Sequence, residues 1–539
     1  MKLAEWGGGG CGGSGCGGDN GVCGPILSWE GKHKPEWSDY QNPRPAVLME
    51  TVGCGGRDGV GVSARDCGGV NAGKNGSAGT GNLLFEGDNL VVMGRLLADG
   101  YAGKVQLAYL DPPFGSGANY VRKIRLRGGT GPGLIGLAED SLTNQLQYTD
   151  QWPENRYLQF MYERLWMVKE LLADNGSLYL HLDSNEVHAI KLICDEVFGP
   201  ECFQRQIIWR IGWISGYKSA ARNWIRNHDT ILFYCKDPGK MIFNKAYLPY
   251  QEGYSRRGSG GGGSGSSSKK GCPAGKGYPL EDTWNCSAID RMDSIQIKSF
   301  SKEKTSYPTQ KNESLLERII LASSNPGDLV MDVFAGAGTT AAVAQKTGRR
   351  WIACDDNHIA VQTINRRLQA IIGGSDSGGD GGVVDAAFSV WKMGSDDGGE
   401  GESAGGGERG DDKRGDDKRG EGESGSACCS GGGGSTVSVS CQRDGADVIV
   451  EITGYSNPEL AKMIKEAGLH PEPDWRSLID WVSVDRDYNG RTFNVYLSDV
   501  PKDTKQCVSG RYLIPDVPSG AVIAVKIIDI LGHETLWTQ

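Results

Sequence analysis

Leu110-Asp111-Pro112-Pro113-Phe114 places an acid, two prolines and an aromatic ring side by side. The stretch closes an apolar run, Val105 to Leu110, that reads as a buried strand. Gly115, Ser116 and Gly117 follow and break regular structure. Proline fixes φ and carries no N–H, so the pair makes a stiff lip whose carbonyls stay free to accept hydrogen bonds. A carboxylate, free carbonyls and an aromatic face can hold a flat group bearing an amine; a plain strand-ending turn is the alternative. A second stretch offers different chemistry. Leu329 to Val333 reads as a buried strand, Phe334-Ala335-Gly336-Ala337-Gly338-Thr339-Thr340 as a glycine turn opening a helix, and Trp351 to Cys354 as the next strand, ending in Asp355. Gly336 and Gly338 let the backbone approach a ligand closely, and the helix N-terminus favours an anionic group. An acid about 20 residues on suits a ribose diol. The pattern points to a nucleoside-bearing cofactor without saying which one.

Both stretches need a scaffold. Asn82 to Glu86 reads as a strand, Gly87-Asp88-Asn89 as a turn and Leu90 to Ala98 as a helix. Asp88 or Asn89 either binds a ligand's polar edge or caps that helix. Asn155 to Asn175 is expected to be helical, with Leu158, Met161, Leu165, Val168 and Leu172 as its core stripe and Asn175-Gly176 as its end. Ser177 to Leu182 reads as a strand. Asp183 with Glu186 resembles a capping box for a second helix, which Gly199-Pro200 stops. Gln206 to Ile211 and Thr230 to Tyr234 read as further strands, and Glu313 to Ser323 as an amphipathic helix. Alternating strands and helices predict a doubly wound α/β sheet.

The chain has 539 residues, enough for roughly two to four domains, and a net charge of −10. That acidity does not point to nucleic acid, but local basic patches matter more than the total. Residues 1–80 read as a Gly/Cys-rich arm, 81–372 as the α/β domain, 373–435 as a Gly-rich charged linker and 436–539 as a small β-rich (α+β) domain. In the last, Asn457-Pro458 should start a helix. Asn489-Gly490 should join Trp481–Asp485 to Thr492–Leu497 as a hairpin, and Val522 to Ile530 should be the final strand. The odd count of 15 cysteines suits a reducing cytoplasm better than a disulfide scaffold. Cys11, Cys16, Cys23, Cys54 and Cys67 lack the short spacing of zinc knuckles, so no metal is expected. No signal peptide or membrane span is apparent. Arg122, Lys123, Arg125 and Arg127 form a basic cluster just past the lip. Arg256 and Arg257 lie in 241–297, where aromatics interleave with basic residues as in nucleic-acid contacts; a solvated charge run and a plain insertion are the alternatives.

The order of the two sites, amine-holding lip first and cofactor turn later, resembles the beta class of DNA amino-methyltransferases. Leu110 to Phe114, Tyr307-Pro308-Thr309-Gln310-Lys311 and Asp332 to Thr340 carry the resemblance, with Gly176 to Asp183 and Asn227 to Thr230 as further blocks. It covers about residues 82 to 370 and looks like the modification subunits and solitary adenine methylases of bacteria and phages. It implies a Rossmann-like, mostly parallel sheet with permuted motif order, S-adenosylmethionine as cofactor and methyl transfer to the N6 amine of adenine in double-stranded DNA. Asp111 and the Pro112 carbonyl would accept hydrogen bonds from that amine, with Pro113 stiffening the lip and Phe114 stacking on a flipped base. Gly336, Gly338 and Phe334 would admit the cofactor and Asp355 would take its ribose hydroxyls. Thr309, Lys311 and Thr339 would lie near its methionine end, Asp332 would orient the turn or the cofactor amine, and Asp88 would reach the cofactor's polar edge. Three residues depart from the pattern: Phe114 for tyrosine, Ala337 for serine and Asn312 for proline. Transfer to the cytosine amine or RNA, and a weakly catalytic DNA-binding subunit, remain as alternatives. The resemblance implies a cytoplasmic protein of a bacterial or phage-infected cell. It leaves open a restriction or modification partner subunit and a homodimer, and implies no membrane contact.

Overall fold

The protein is described from a computed structural model. The structure describes residues 2–3, 26–36, 45–52, 81–114, 119–128, 142–150, 152, 156–210, 212, 222–248, 278–285, 301, 303–305, 307–373, 387–394, 427–430, 434–469 and 473–539. These fall into two compact units. One is drawn from residues 1–43, 62–122 and 146–389, the other from 44–61, 123–145 and 390–539.

In the first unit we number the core elements β1 (Asn82–Glu86), α1 (Asn89–Ala98), β2 (Val105–Leu110), α2 (Arg156–Leu171), β3 (Leu172–Leu182), α3 (Val187–Phe198), β4 (Phe203–Arg210), β5 (His228–Cys235), β6 (Thr283–Trp284), α4 (Glu313–Ser323), β7 (Leu329–Asp332), α5 (Thr339–Lys346), β8 (Arg350–Asp355) and α6 (His358–Gly373). The strands lie in the order β6-β4-β5-β3-β2-β7-β8-β1. The run β3-β2-β7-β8-β1 is parallel throughout, while β5 is antiparallel to both β3 and β4. This is the mostly parallel, Rossmann-like α/β sheet that strand–helix alternation predicts. The central strands are apolar because helices cover both faces: Leu107, Leu110, Leu180, Val330 and Ala353 are fully buried. β2 and β7 are sequence-distant neighbours, so the ends of residues 105–110 and 329–332 open at one edge of the sheet.

Two local expectations fail. The helix expected to reach Asn175 ends at Leu171, where the N–H groups of Gly103 and Lys104 donate to the Glu170 and Leu171 carbonyls at 2.9 and 3.0 Å. Leu172 then pairs with Val105, and a register shift follows before Leu107 meets Ser177. Gly176 sits at that irregularity, because a Cβ there would lie 2.7 Å from the Val105 carbonyl oxygen. Asn175-Gly176 thus serves a kinked strand, not a helix end. The expected capping box does not form either: the Asp183 carboxylate accepts from the Asn185 N–H at 2.8 Å, and α3 starts after Glu186 with no side-chain cap.

The second unit is β-rich. Thr436–Asp444 and Asp447–Ser456 pair antiparallel, with Arg511–Ile514 on the far side of the latter. A second sheet runs Leu497–Asp499, Ile479–Asp485, Ala524–Asp529, Glu534–Thr538. Val450, Leu460, Val482, Val525 and Trp537 are in the core they share. Asn457 caps Pro458–Glu466 by accepting from the Glu459 and Leu460 N–H groups. Asn489 does hold a turn, accepting from Arg491 and Thr492. The hairpin expected there is displaced, however. Phe493–Val495 pairs in parallel with Ala46–Val52, and Leu497–Asp499 pairs with Ile479–Asp485 instead. Nor is the 524–529 strand the last, since Glu534–Thr538 adds beyond it. A local turn signal cannot see a partner that lies over 400 residues earlier.

Candidate active site

Asp111 follows β2 directly, so the end of a buried strand sets its position. Its carboxylate is only 15% exposed and pairs with the Lys311 ammonium through Oδ2. Oδ1 is buried and has no partner. Behind the lip, the Phe114 N–H donates to Asp150 Oδ2 at 3.2 Å, and Trp152 Nε1 donates to the other oxygen of Asp150 at 3.1 Å. The Phe114 ring lies 6.0 Å from the His181 ring at 38°. His181 is fully buried between the Tyr109 hydroxyl at 2.9 Å and Asp229 Oδ2 at 3.4 Å. Burial pushes the Asp229 carboxyl up, but His181, Lys311 and Arg226 together hold it below the ordinary carboxylate range. Tyr109 and His181 therefore form a polar footing under the aromatic ring.

The cofactor turn is built from backbone geometry. Gly338 caps α5 with φ of +68°, and a Cβ there would come 2.8 Å from Ile364 Cγ1 on α6. Gly336 has φ of +49°, and its missing side chain leaves room beside the Tyr307 ring. Asp355 Oδ2 accepts the Gly336 N–H at 2.8 Å, and Oδ1 accepts the Asn357 N–H at 3.0 Å. Each oxygen keeps a second lone pair for a ligand hydroxyl. Asp332 accepts from the Phe334 N–H at 3.0 Å and from the Thr340 hydroxyl at 2.5 Å, orienting the turn from below. Desolvation pushes both the Asp332 and Asp355 carboxyls up to about 7.

One cleft takes in Asp111, Pro113, Thr309, Lys311, Asp332, Phe334, Gly336, Thr339, Asp355 and Asp88. The lip and the turn, more than 200 residues apart, thus meet in one cavity. Two of these residues also carry bonds within the fold. Asp88 caps α1, accepting from the Leu90 and Val91 N–H groups at 2.7 and 3.4 Å, and also pairs with Arg164 at 3.0 Å. The Thr339 hydroxyl donates to the Lys311 carbonyl at 3.0 Å and accepts from Arg367 at 3.1 Å, so it ties the 307–311 segment to α5. Asn312, where proline is usual in the family it resembles, has φ of −72°, a value that proline also adopts. Ala337 is buried with Tyr307 and Ala360.

Sequence reasoning missed Arg164, Trp152 and Phe160, all in the cleft wall. Arg164 lies on α2 with its guanidinium 3.5 Å from the Phe160 ring centroid and donates to Asn89 Oδ1 at 2.5 Å. Asn89 in turn donates to the Val333 carbonyl at 2.8 Å. The available signal was one arginine set beside the apolar stripe of α2; a charged residue that is 4% exposed must be paired. Of the basic residues proposed for nucleic acid, Lys123 and Arg125 are exposed and Arg122 is half-buried. Arg127 is buried, pairing with Asp480 and donating to the Asp503 carbonyl at 3.0 Å, so its guanidinium is committed within the second unit. Arg256 and Arg257, and the five N-terminal cysteines, lie outside the described residues. Among the described residues no cluster of metal-ligating side chains occurs, and no helix is long and apolar enough to cross a membrane.

The cleft suits a cationic nucleoside. Five carboxyl groups, Asp88, Asp111, Asp332, Asp355 and Asp356, line it against two cations, Arg164 and Lys311, and both cations are already paired with acids. The glycine cradle and the spare lone pairs of Asp355 fit a ribose, and the unpaired acids, which a nearby positive charge would help to ionise, fit a sulfonium. Fold and site define an S-adenosylmethionine-dependent methyltransferase. The family described as DNA methylase matches residues 105–366. The chain is 32% identical to the Type II methyltransferase M1.MboII of Moraxella bovis, over 39% of this chain and 79% of that protein. It is 27% identical to the DNA adenine methyltransferase YhdJ of Escherichia coli (strain K12), over 53% of this chain and 82% of that protein. The solved structure of an M1.HpyAVI–SAM complex aligns over 53% of this chain and 98% of that one, at 18% identity and a TM-score of 0.33. The chain belongs to the DNA methylase family, and its family-level activity is S-adenosylmethionine-dependent methylation of adenine in DNA.

Proposed function

We propose that Asp111, with the Pro112 carbonyl, holds the exocyclic N6 amine of an adenine flipped out of duplex DNA. The observation that carries this reading is the buried, unpartnered Oδ1 of Asp111 in the same cleft as the Gly336 turn and Asp355. A buried carboxylate oxygen without a partner is costly, and two N–H donors of an amine would satisfy it and the neighbouring carbonyl. Phe114 supplies a stacking face, with the buried His181 ring 6.0 Å away. Pro113 keeps the lip rigid. Asp355, the Gly336 and Gly338 backbone, and Phe334 hold the cofactor, which supplies an electrophilic methyl group. With both N–H bonds of the amine engaged, its lone pair is left to attack. The methylated nitrogen is acidic enough to shed its proton to water, so Asp111 need not act as a base. The chain's contribution is orientation and charge placement.

Lys123 and Arg125 are exposed and fit phosphate contacts. A restriction or modification subunit as partner, a homodimer, and a place in the cytoplasm of a bacterial or phage-infected cell complete the reading. Its direct test is incubation of the protein with DNA and methyl-labelled S-adenosylmethionine, followed by digestion to nucleosides. Label in N6-methyladenine is the expected result. Label in N4-methylcytosine would change the target base, and a folded protein that labels no DNA would end the reading.

A further inference from the structure

We propose that Lys311 is a positioning residue for methyl transfer, acting through Asp111 and not through the cofactor. This rests on the reading of Asp111 as the acceptor of the target amine. The family resemblance would put Lys311 near the cofactor's methionine end. The structure instead gives its ammonium to Asp111 Oδ2, with 10% of the side chain exposed. That contact uses one carboxylate oxygen and leaves Oδ1 as the free acceptor. A carboxylate pivoting about its own bonds would present either oxygen; one gripped at Oδ2 presents only the other. The ammonium also stands 5.1 Å from the Phe114 ring centroid, so it fixes acid and stacking face relative to each other.

The grip is itself held. The Lys311 carbonyl accepts the Thr339 hydroxyl at 3.0 Å, at the first residue of α5. Arg367 donates to that hydroxyl at 3.1 Å and to the Ala337 carbonyl at 3.0 Å, and pairs with Glu313 at 2.7 Å. Lys311 is therefore a strut between the cofactor turn and the base-holding lip. Among the five acids of the cleft, it pairs with the one at the lip. A free ammonium beside a sulfonium would repel it; an ammonium neutralised by Asp111 does not.

The test compares wild type, Lys311→Met and Lys311→Arg in single-turnover methyl transfer to DNA, with S-adenosylmethionine affinity measured in parallel by calorimetry. Lys311→Met should slow transfer by about 100-fold while cofactor Kd stays within about threefold, which also reports a folded site. Lys311→Arg, which keeps a donor for Asp111, should recover transfer to within about tenfold of wild type. A Lys311→Met protein whose Kd rises as much as its rate falls makes Lys311 a cofactor ligand and overturns the inference. So does one with unchanged transfer. Should Lys311→Met fail to fold, Lys311→Arg decides: near-normal transfer with normal Kd supports the strut, and a raised Kd overturns it. A folded wild-type protein that methylates no DNA fails at the earlier step, and removes the functional reading together with the inference built on it.

Discussion

The backbone N–H of Gly336 donates to the carboxylate of Asp355 at 2.8 Å across 19 residues of sequence. The glycine turn and the acid that ends the next strand are therefore one object. Asp355 shapes the glycine turn and, in the proposed reading, offers acceptors to the cofactor as well. Asp355→Ala should raise cofactor Kd by roughly 10–100-fold, the loss of one or two charge-assisted hydrogen bonds. Because the carboxyl titrates at about 7 and its ionised form is the better acceptor, wild-type affinity should weaken as pH falls from 8 to 6. Calorimetric titration across that range checks both; a Kd independent of pH would remove Asp355 from cofactor binding.

Asp111→Ala should separate chemistry from binding in the opposite sense. Transfer should fall at least 1,000-fold on the order expected for losing a positioned acceptor, with cofactor Kd changed only a few-fold. Rapid-quench transfer and calorimetry on one preparation give the comparison. Parallel loss of both would mean that Asp111 serves the cofactor.

Asp332 makes stability depend on pH. Its carboxyl ionises near 3.8 when unfolded and, desolvated in the fold, at about 7. The folded state then binds the proton more tightly, so this group's contribution is complete below about pH 4 and is lost as pH rises through 7. Asp332→Asn keeps an acceptor for the Phe334 N–H and lacks the ionisation. The melting temperature of wild type relative to Asp332→Asn should thus drop between pH 5 and pH 8, by an amount on the order of a few kcal/mol in stability. A constant difference across that range would show that Asp332 is not desolvated.

Gly338→Ala should cost about 1–3 kcal/mol, since φ of +68° strains any side chain and the new Cβ meets Ile364 at 2.8 Å. Chemical denaturation of the full chain, followed by circular dichroism, measures it. An unchanged midpoint would mean that α6 gives way freely.

Arg127 and its neighbours should part company. Arg127→Ala breaks a buried pair with Asp480 and should destabilise the second unit by about 3–5 kcal/mol. Lys123→Ala and Arg125→Ala should leave the melting temperature in place and lower the salt dependence of DNA binding by about one unit of slope each. Equal thermal losses from all three would make the whole cluster structural.

Much of the site was legible locally. Asp111, the two prolines, Gly336, Gly338 and Asp355 each follow an apolar run that reads as a buried strand, and strand ends are where an open α/β sheet exposes groups. Helix α4 is likewise bounded as its periodicity predicts, Glu313 to Ser323. Local patterns misled where a tertiary partner outbid them. Asn175-Gly176 looks like a helix end until Val105 lies beside it, and Arg127 looks like a surface cation until Asp480 closes over it.

By itself the sequence determined which chemical groups are present and which strand each one terminates, because side-chain type and hydrophobic period are local properties. Only the tertiary structure decided which of those groups meet. The parallel pairing of β2 with β7 puts Asp111 and the Gly336 turn in one cleft, Lys311 reaches across it to the lip, and Arg164 turns inward from a helix that otherwise reads as core. Hydrogen-bond register and the cost of leaving a buried charge unpaired set those meetings, and neither is written in any window of neighbouring residues.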